Sequence, residues 1–247
     1  MKPDACHLLV VIPTYNERSN LPDLVCGIFA AIPDCHLLVV DDASPDGTGD
    51  WCAEMGRGDE RVHLLARQGK KGIGSALLAG MRYAVENDYR LLVTMDADFS
   101  HPPAELPRLV AAVDEAGSVD VAIASRYTQG GGVEGWPLRR RMMSGAVNFV
   151  ARWLLGLRVR DCSTGFRGYR TAALRRLVET DCFSSGYAFE EEVLFCLQRQ
   201  GATFSEIPTW FVNRGRGGSK LNGSEAVRAA GALLRLALSR FWPCSTC

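Results

Sequence analysis

No uninterrupted apolar run reaches the roughly 18 residues of a membrane-spanning helix, so no spanning segment is expected in this 247-residue chain. Net charge is missing too. Lys and Arg total 28 against 28 Asp and Glu, and no nucleic-acid partner is expected from that balance. The nine cysteines are odd in number and scattered, which excludes a disulfide scaffold and favours a reducing compartment. Most, including Cys26, Cys35 and Cys196, sit in apolar sequence and read as small core residues. Cys244 and Cys247 form a C-x-x-C with no second Cys or His pair, so it reads as a thiol-bearing tail rather than a zinc site. Fixed-period repeats, low-complexity tracts and inter-domain linkers are all absent. The first apolar run, HLLVVI at 7–12, meets Pro13 too early for a signal peptide, and none is expected.

What is present is the material of a globular core: 47% hydrophobic residues with 23% charged. Short runs rich in Val, Ile and Leu at 8–12, 37–40, 62–66, 91–95 and 119–124 read as strands. Helix-length segments lie between them near 18–32, 47–57, 73–87 and 103–117, edged by Pro or Gly. Continuous apolar strands alternating with helices predict an α/β fold, a mostly parallel sheet covered on both faces. After 125 the alternation stops, giving a Gly-rich loop at 130–135, an Arg-rich helix at 139–155 and shorter mixed elements.

Each predicted strand delivers a polar cluster: PTYNE at 13–17, DDASPDGT at 41–48, RQGKKGIGSA at 67–76, DADFS at 96–100 and SRY at 125–127. In an open α/β sheet, ligands bind outside the carboxyl ends of the strands, so five such clusters predict one site. Turn and cap chemistry accounts for Ser44, Asp46 and Gly47. It leaves Asp41, Asp42 and the Asp96/Asp98 pair to be explained. Two carboxylates just past a strand end suit a hard divalent ion, Mg²⁺ or Mn²⁺, holding a diphosphate. GKKGIGSA imitates a dinucleotide-binding pattern but follows the third strand and lacks the matching acid, which argues against hydride transfer. Its glycines suit a helix N-terminus approaching a phosphate or sugar. Arginines without acids at 139–160, and basic residues at 214–240 against Glu225 alone, point to an anionic partner near the second half.

VVIPTYNE, VVDDASPDGT, GKKGIGSALLAG, MDADFSHPP, SRYTQGGGVEGWPLRRRMMS, DCSTGFRGYR and FVNRGRGGSK resemble, in order, motifs of the polyprenol (dolichyl) phosphate mannosyltransferases, inverting family 2 glycosyltransferases of GT-A type fold. The resemblance covers about 8–221. It implies a single glycosyltransferase domain: a nucleotide-sugar half to about 126, an acceptor half over about 127–221, and a C-terminal amphipathic helix and tail over 222–247. It implies that Pro13, Tyr15 and Glu17 contact the donor nucleoside, with Val40 and Asp42 completing the base pocket. Asp96, Ala97, Asp98 and Ser100 match the metal and diphosphate loop. Arg126 matches a phosphate-binding arginine, Arg140 and Ser144 lie near the acceptor phosphate, and Arg214 and Lys220 match a basic loop that closes over the diphosphate. Asn213 and Gly218 depart from the Asp and Glu usual there.

The implied reaction takes mannose from GDP-mannose to a polyprenyl or dolichyl phosphate and inverts the anomeric centre. Asp98, Arg126, Arg140 and Ser144 are the expected catalytic set. A UDP-glucose-dependent glucosyltransferase and a non-catalytic nucleotide-sugar-binding subunit are the alternatives. Of Glu190, Glu191 and Glu192, at least one and as many as two are expected on a solvated helix face, with Glu192 a possible support for a site arginine. His101 reads equally as packing or as a metal neighbour, whereas His7, His36 and His63 show no ligand spacing. RRRMMSGAVNFVARWLLGL at 139–157 and EAVRAAGALLRLALSRFW at 225–242 are amphipathic, and either can lie in a headgroup plane. Peripheral attachment at the cytoplasmic face of a membrane, directly or through a tethering subunit, is therefore expected.

Overall fold

The structure, a computed structural model, describes residues 7–114, 119–179, 186, 188–212 and 231–238. The expected alternation is there: β1 (Leu8–Thr14), α1 (Leu21–Ala31), β2 (His36–Asp41), α2 (Thr48–Gly58), β3 (Val62–Ala66), α3 (Ile73–Glu86), β4 (Leu91–Thr94), a 3₁₀ turn Pro103–Glu105, α4 (Leu106–Asp114) and β5 (Val121–Ser125). Then come β6 (Gly132–Glu134), α5 (Leu138–Leu155), β7 (Arg167–Arg170), α6 (Thr171–Val178), α7 (Phe189–Arg199), β8 (Phe204–Pro208) and β9 (Trp210–Val212).

The main sheet runs β3-β2-β1-β4-β7-β5-β8, with β6 and β9 forming a separate parallel pair. All main-sheet neighbours are parallel except β7, which sits antiparallel between β4 and β5. That placement brings the segment before β7 to the same rim as the carboxyl ends of β4 and β5. The late chain therefore completes the early sheet. Alternate residues of β1 feed opposite cores, Leu9 and Val11 toward α3 and Val10 and Ile12 toward α1 and α4. Burial on both faces is why the strand reads as an unbroken apolar run, at about 1.5–3 kcal/mol per side chain removed from water. Helix α3 packs closely on β1 because Gly80 has no Cβ; one there would collide with Val11.

Two cysteine and helix expectations change. Cys35, Cys52, Cys162 and Cys196 are buried, but Cys26 is exposed on α1 because it falls on the helix's outer face. Helix α1 starts at Leu21, three residues later than the periodicity suggests, because Asn16 takes a left-handed φ of 63° and Glu17 accepts turn hydrogen bonds. The helical stretch at 231–238 packs through Leu233 and Leu236 into the core and leaves Leu234 and Leu238 exposed. The rest of the 225–242 segment, and Cys244 and Cys247, lie outside the described residues.

Candidate active site at the strand rim

Past Thr94 the backbone still alternates: Met95 and Ala97 enter the core, and Asp96 and Asp98 turn outward, partly exposed. Phe99 then takes a left-handed φ of 60°, folding the chain back so that the Ser100 N–H donates to Asp98 Oδ1 at 3.0 Å. The Ser100 hydroxyl donates to the same oxygen. The Asp96 N–H donates to His101 Nδ1 at 2.9 Å, and that imidazole is stacked on Phe166 with centroids 4.9 Å apart. Ser100 and His101 are buried supports that fix where the two carboxylates point. Of the non-glycine residues with positive φ, Asn16, Ala43 and Phe99 all lie on this rim, where backbone strain is a recurrent feature of working sites.

The acidic pair at the end of β2 behaves differently. Asp41 accepts from Thr14 Oγ1 (2.8 Å), from the Ser44 N–H (3.0 Å) and from Ser44 Oγ (2.5 Å). Asp42 pairs with Arg67 and accepts the Lys71 and Gly72 N–H groups at 3.0 and 3.1 Å. Both carboxylates tie strand ends and the β3–α3 loop together. Asp46 likewise accepts from Arg18 N–H, Thr48 N–H and Thr48 Oγ1, a cap role as expected. Tyr15 lies under Lys70, whose Nζ is 4.2 Å from the ring centroid, so the first and third loops meet.

Glu190, Glu191 and Glu192 do not form a solvated face. Glu191 and Glu192 are buried, and Glu190 pairs with Arg167, a fully buried residue, at 2.8 Å. Arg167 of β7 donates to the Glu190 carbonyl at 2.9 Å and ties the first turn of α7 down, which overrides the periodicity argument. Glu190 is the ion-pair partner of Arg167. Thr94 Oγ1 donates to Gly165 O at 2.7 Å, and a Cβ on Gly165 would sit 3.2 Å from Glu190 Oε1 and 3.7 Å from Asp96 Oδ1. Gly165 thus keeps open the space beside Asp96. Burial pushes the Glu190 carboxyl up to about 7, opposed by Arg167 and helped by Asp96. Burial raises Glu191 to about 8, and its Oε2 has no hydrogen-bond partner among the described residues.

Beyond β7, Arg126 leaves the end of β5 and is buried. Its Nε and Nη2 donate to the two oxygens of Asp161 at 2.8 and 2.7 Å, and Nη2 also donates to Ser163 Oγ at 2.8 Å. Tyr127 donates to Ser144 Oγ at 2.7 Å, and Arg140 stacks over Trp136 at 4.1 Å. Helix α5 inverts the usual pattern. It buries Asn148, which donates to Ser163 Oγ and accepts from the Cys162 N–H, and exposes Leu138, Met142, Phe149 and Trp153, the last 74% exposed. A cavity of about 340 Å³ beside it is lined by Arg126, Tyr127, Gly131, Val133, Arg141 and Met142.

The family profile described as Glycosyl transferase family 2 matches residues 9–178. The chain belongs to glycosyl transferase family 2. Two curated relatives are a polyprenol monophosphomannose synthase of Mycolicibacterium smegmatis, 45% identical with 87% of this chain and 81% of that one covered, and an undecaprenyl-phosphate mannosyltransferase of Micrococcus luteus, 42% identical over 95% and 96%. A mannosyltransferase from Pyrobaculum calidifontis, solved with GDP-Man and Mn²⁺, shares the fold at TM-score 0.59 and 17% identity, covering 94% of this chain and 73% of that one.

This family 2 glycosyltransferase has the GT-A type fold expected from its motifs. Its sheet carries Pro13, Tyr15, Glu17, Val40, Asp42, Asp96, Ala97, Asp98, Ser100 and Arg126 on or just beyond one rim. Arg140 and Ser144 stand on α5 beside it, whereas Arg214 and Lys220 lie outside the described residues. The all-oxygen donors of Asp96 and Asp98, with the room left by Gly165, fit Mg²⁺ or Mn²⁺. Sequence reasoning missed Asp161, Arg167 and Trp136, and read Glu190 without its pairing to Arg167. DCSTGFRGYR contained two of these, but nothing in its spacing says which carboxylate meets which arginine.

Proposed function

We propose that the enzyme transfers mannose from GDP-mannose to a polyprenyl phosphate, with inversion and with a divalent metal, giving polyprenyl phosphate β-mannose. The names of its two curated relatives support the acceptor and the sugar, and the relative solved with GDP-Man and Mn²⁺ supports the donor. The observation that carries the reading is the outward-turned Asp96/Asp98 pair on a rim whose β5 end is tied, through Tyr127 and Ser144, to an arginine-bearing helix with apolar residues open to solvent.

Asp96 and Asp98 would hold the metal, which when bound supplies positive charge to a departing diphosphate. Pro13, Tyr15, Glu17 and Val40 line the nucleoside end of the site, and Asp42 fixes the loop beside it through Arg67. The acceptor phosphate is largely dianionic at neutral pH, with a second ionisation near 6, and needs orientation more than a base. Arg140 and Ser144 orient it. Arg126, neutralised by Asp161, contributes fixed geometry and donors more than net charge. Arg214 and Lys220 add cations over the diphosphate. The nucleotide half to about 126 and the acceptor half from about 127 divide these roles.

Helix α5 supplies the approach to a bilayer. Leu138, Met142, Phe149 and Trp153 enter the interface, and Arg139 and Arg141 meet anionic headgroups. Attachment is peripheral, at the cytoplasmic face, unaided or with a tethering subunit. Incubation with labelled GDP-mannose or UDP-glucose and a short polyprenyl phosphate, followed by organic extraction, tests the assignment. Label in the organic phase from GDP-mannose alone is expected. Label only from UDP-glucose, or nucleotide bound without transfer, contradicts it.

A further inference from the structure

Trp136 belongs to the SRYTQGGGVEGWP motif but has no place in the chemistry above. Its surroundings give it one. The Arg140 guanidinium carbon stands 4.1 Å from the Trp136 ring centroid, and the Arg126 guanidinium carbon stands 5.6 Å from it. Phe211 meets Trp136 edge-on at 5.2 Å and also lies 5.5 Å from Arg126. Phe211 in turn meets His101 at 5.9 Å, and His101 accepts the Asp96 N–H. One run of aromatic rings therefore connects the acidic loop after β4 to the arginine on α5. Arg126 needs no help from Trp136 to stay in place, because Asp161 grips it with two hydrogen bonds. Arg140 stands half-buried near the start of α5, and the Trp136 ring is the flat surface its guanidinium lies against.

We propose that Trp136 is a positioning residue for the acceptor phosphate. Its indole face holds Arg140 at a fixed offset from Arg126 and, through Phe211 and His101, from the carboxylates of the acidic loop. The electron-rich face attracts the guanidinium without neutralising it, so this contact orients Arg140 and leaves its charge for a phosphate. This rests on the polyprenyl phosphate reading above.

The test compares wild type, Trp136→Leu, Trp136→Phe, Arg140→Ala and the Trp136→Leu/Arg140→Ala double variant. Leu keeps an apolar side chain and removes the π face; Phe keeps the face. Calorimetry with a short polyprenyl phosphate and, separately, with GDP plus Mn²⁺ reads both sites without turnover, and steady-state assays add KM and kcat. Trp136→Leu weakens lipid-phosphate binding about tenfold, the scale of a partly desolvated cation–π contact. GDP binding moves less than about twofold, because Asp161 keeps Arg126 in place whatever stands at position 136, and Trp136→Phe restores most of the loss. In the double variant the Leu substitution adds little beyond Arg140→Ala, as expected for residues acting as a unit. Equal losses for Leu and Phe, equal weakening of both ligands, or full additivity with Arg140→Ala each overturn the proposal. Wild type that binds GDP but not the lipid phosphate overturns it together with the acceptor assignment, whereas tight binding by wild type and Trp136→Leu alike removes only Trp136.

Discussion

Asp41 and Asp42 close β2, and Asp96 and Asp98 follow β4 two strands away on the same rim. In sequence the two pairs look alike. In the fold the β2 pair is buried and consumed by Thr14, Ser44, Arg67 and two backbone N–H groups. The β4 pair is partly exposed; Ser100 donates to Asp98 from below, and His101 accepts the Asp96 N–H from behind. The difference lies in what the following loop offers. DASPDGT and RQGKKG supply donors that fold back on the carboxylates, whereas DFSHPP supplies a buried prop and then a proline-led turn that leaves. A carboxylate whose lone pairs are satisfied by its own chain builds the site, and one held from behind can serve a ligand.

The largest effect separating the two pairs is on turnover. Asp98→Asn should lower kcat by about 10²–10³-fold, on the scale of removing a group that organises charge in the transition state. Its denaturation midpoint should stay close to wild type; normal turnover would take Asp98 out of the chemistry. On stability the order reverses. Asp161→Ala leaves the buried Arg126 guanidinium unpaired and should cost about 3–5 kcal/mol in denaturant unfolding. A loss within experimental error would show that Arg126 reaches solvent. Asp41→Ala strips its donors of their acceptor, at about 1–3 kcal/mol, and should spare metal binding.

The fold and the acidic loop were legible because they rest on local pattern. β1, β2 and β4 are buried on both faces, so their central residues are all apolar, and Asp96 and Asp98 follow β4 almost at once in the chain. The expectation that one or two of Glu190, Glu191 and Glu192 lie on a solvated face failed for the opposite reason. A helix's exposed face is set by what packs on it, and β7 is inserted antiparallel from a distant stretch. The same distance hid Arg126–Asp161 and Arg167–Glu190, 35 and 23 residues apart. Helix α5 was expected to be amphipathic, and the sequence does not say that its polar Asn148 faces inward and Trp153 outward.

Smaller effects sharpen the contrast between a buried acid and a working one. Glu191 binds its proton more tightly folded than unfolded, its pKa rising from 4.5 to about 8. The folded state thus holds more protons than the unfolded state between these values, and stability falls as pH rises through that window. Glu191→Gln should flatten the fall, measured as denaturation midpoints from pH 5 to 8.5; an unchanged slope would place the titration elsewhere. Trp153→Gln should reduce sedimentation with anionic liposomes several-fold while leaving transfer to detergent-solubilised acceptor intact. No change would remove α5 from the membrane contact.

The most direct measurement is a Mn²⁺ titration followed by electron paramagnetic resonance in the presence of GDP, run on wild type, Asp98→Asn and Asp42→Asn. One saturable Mn²⁺ in wild type and Asp42→Asn, lost in Asp98→Asn, is the predicted result. Equal Mn²⁺ binding by wild type and Asp98→Asn would mean that the pair after β4 does not hold the ion.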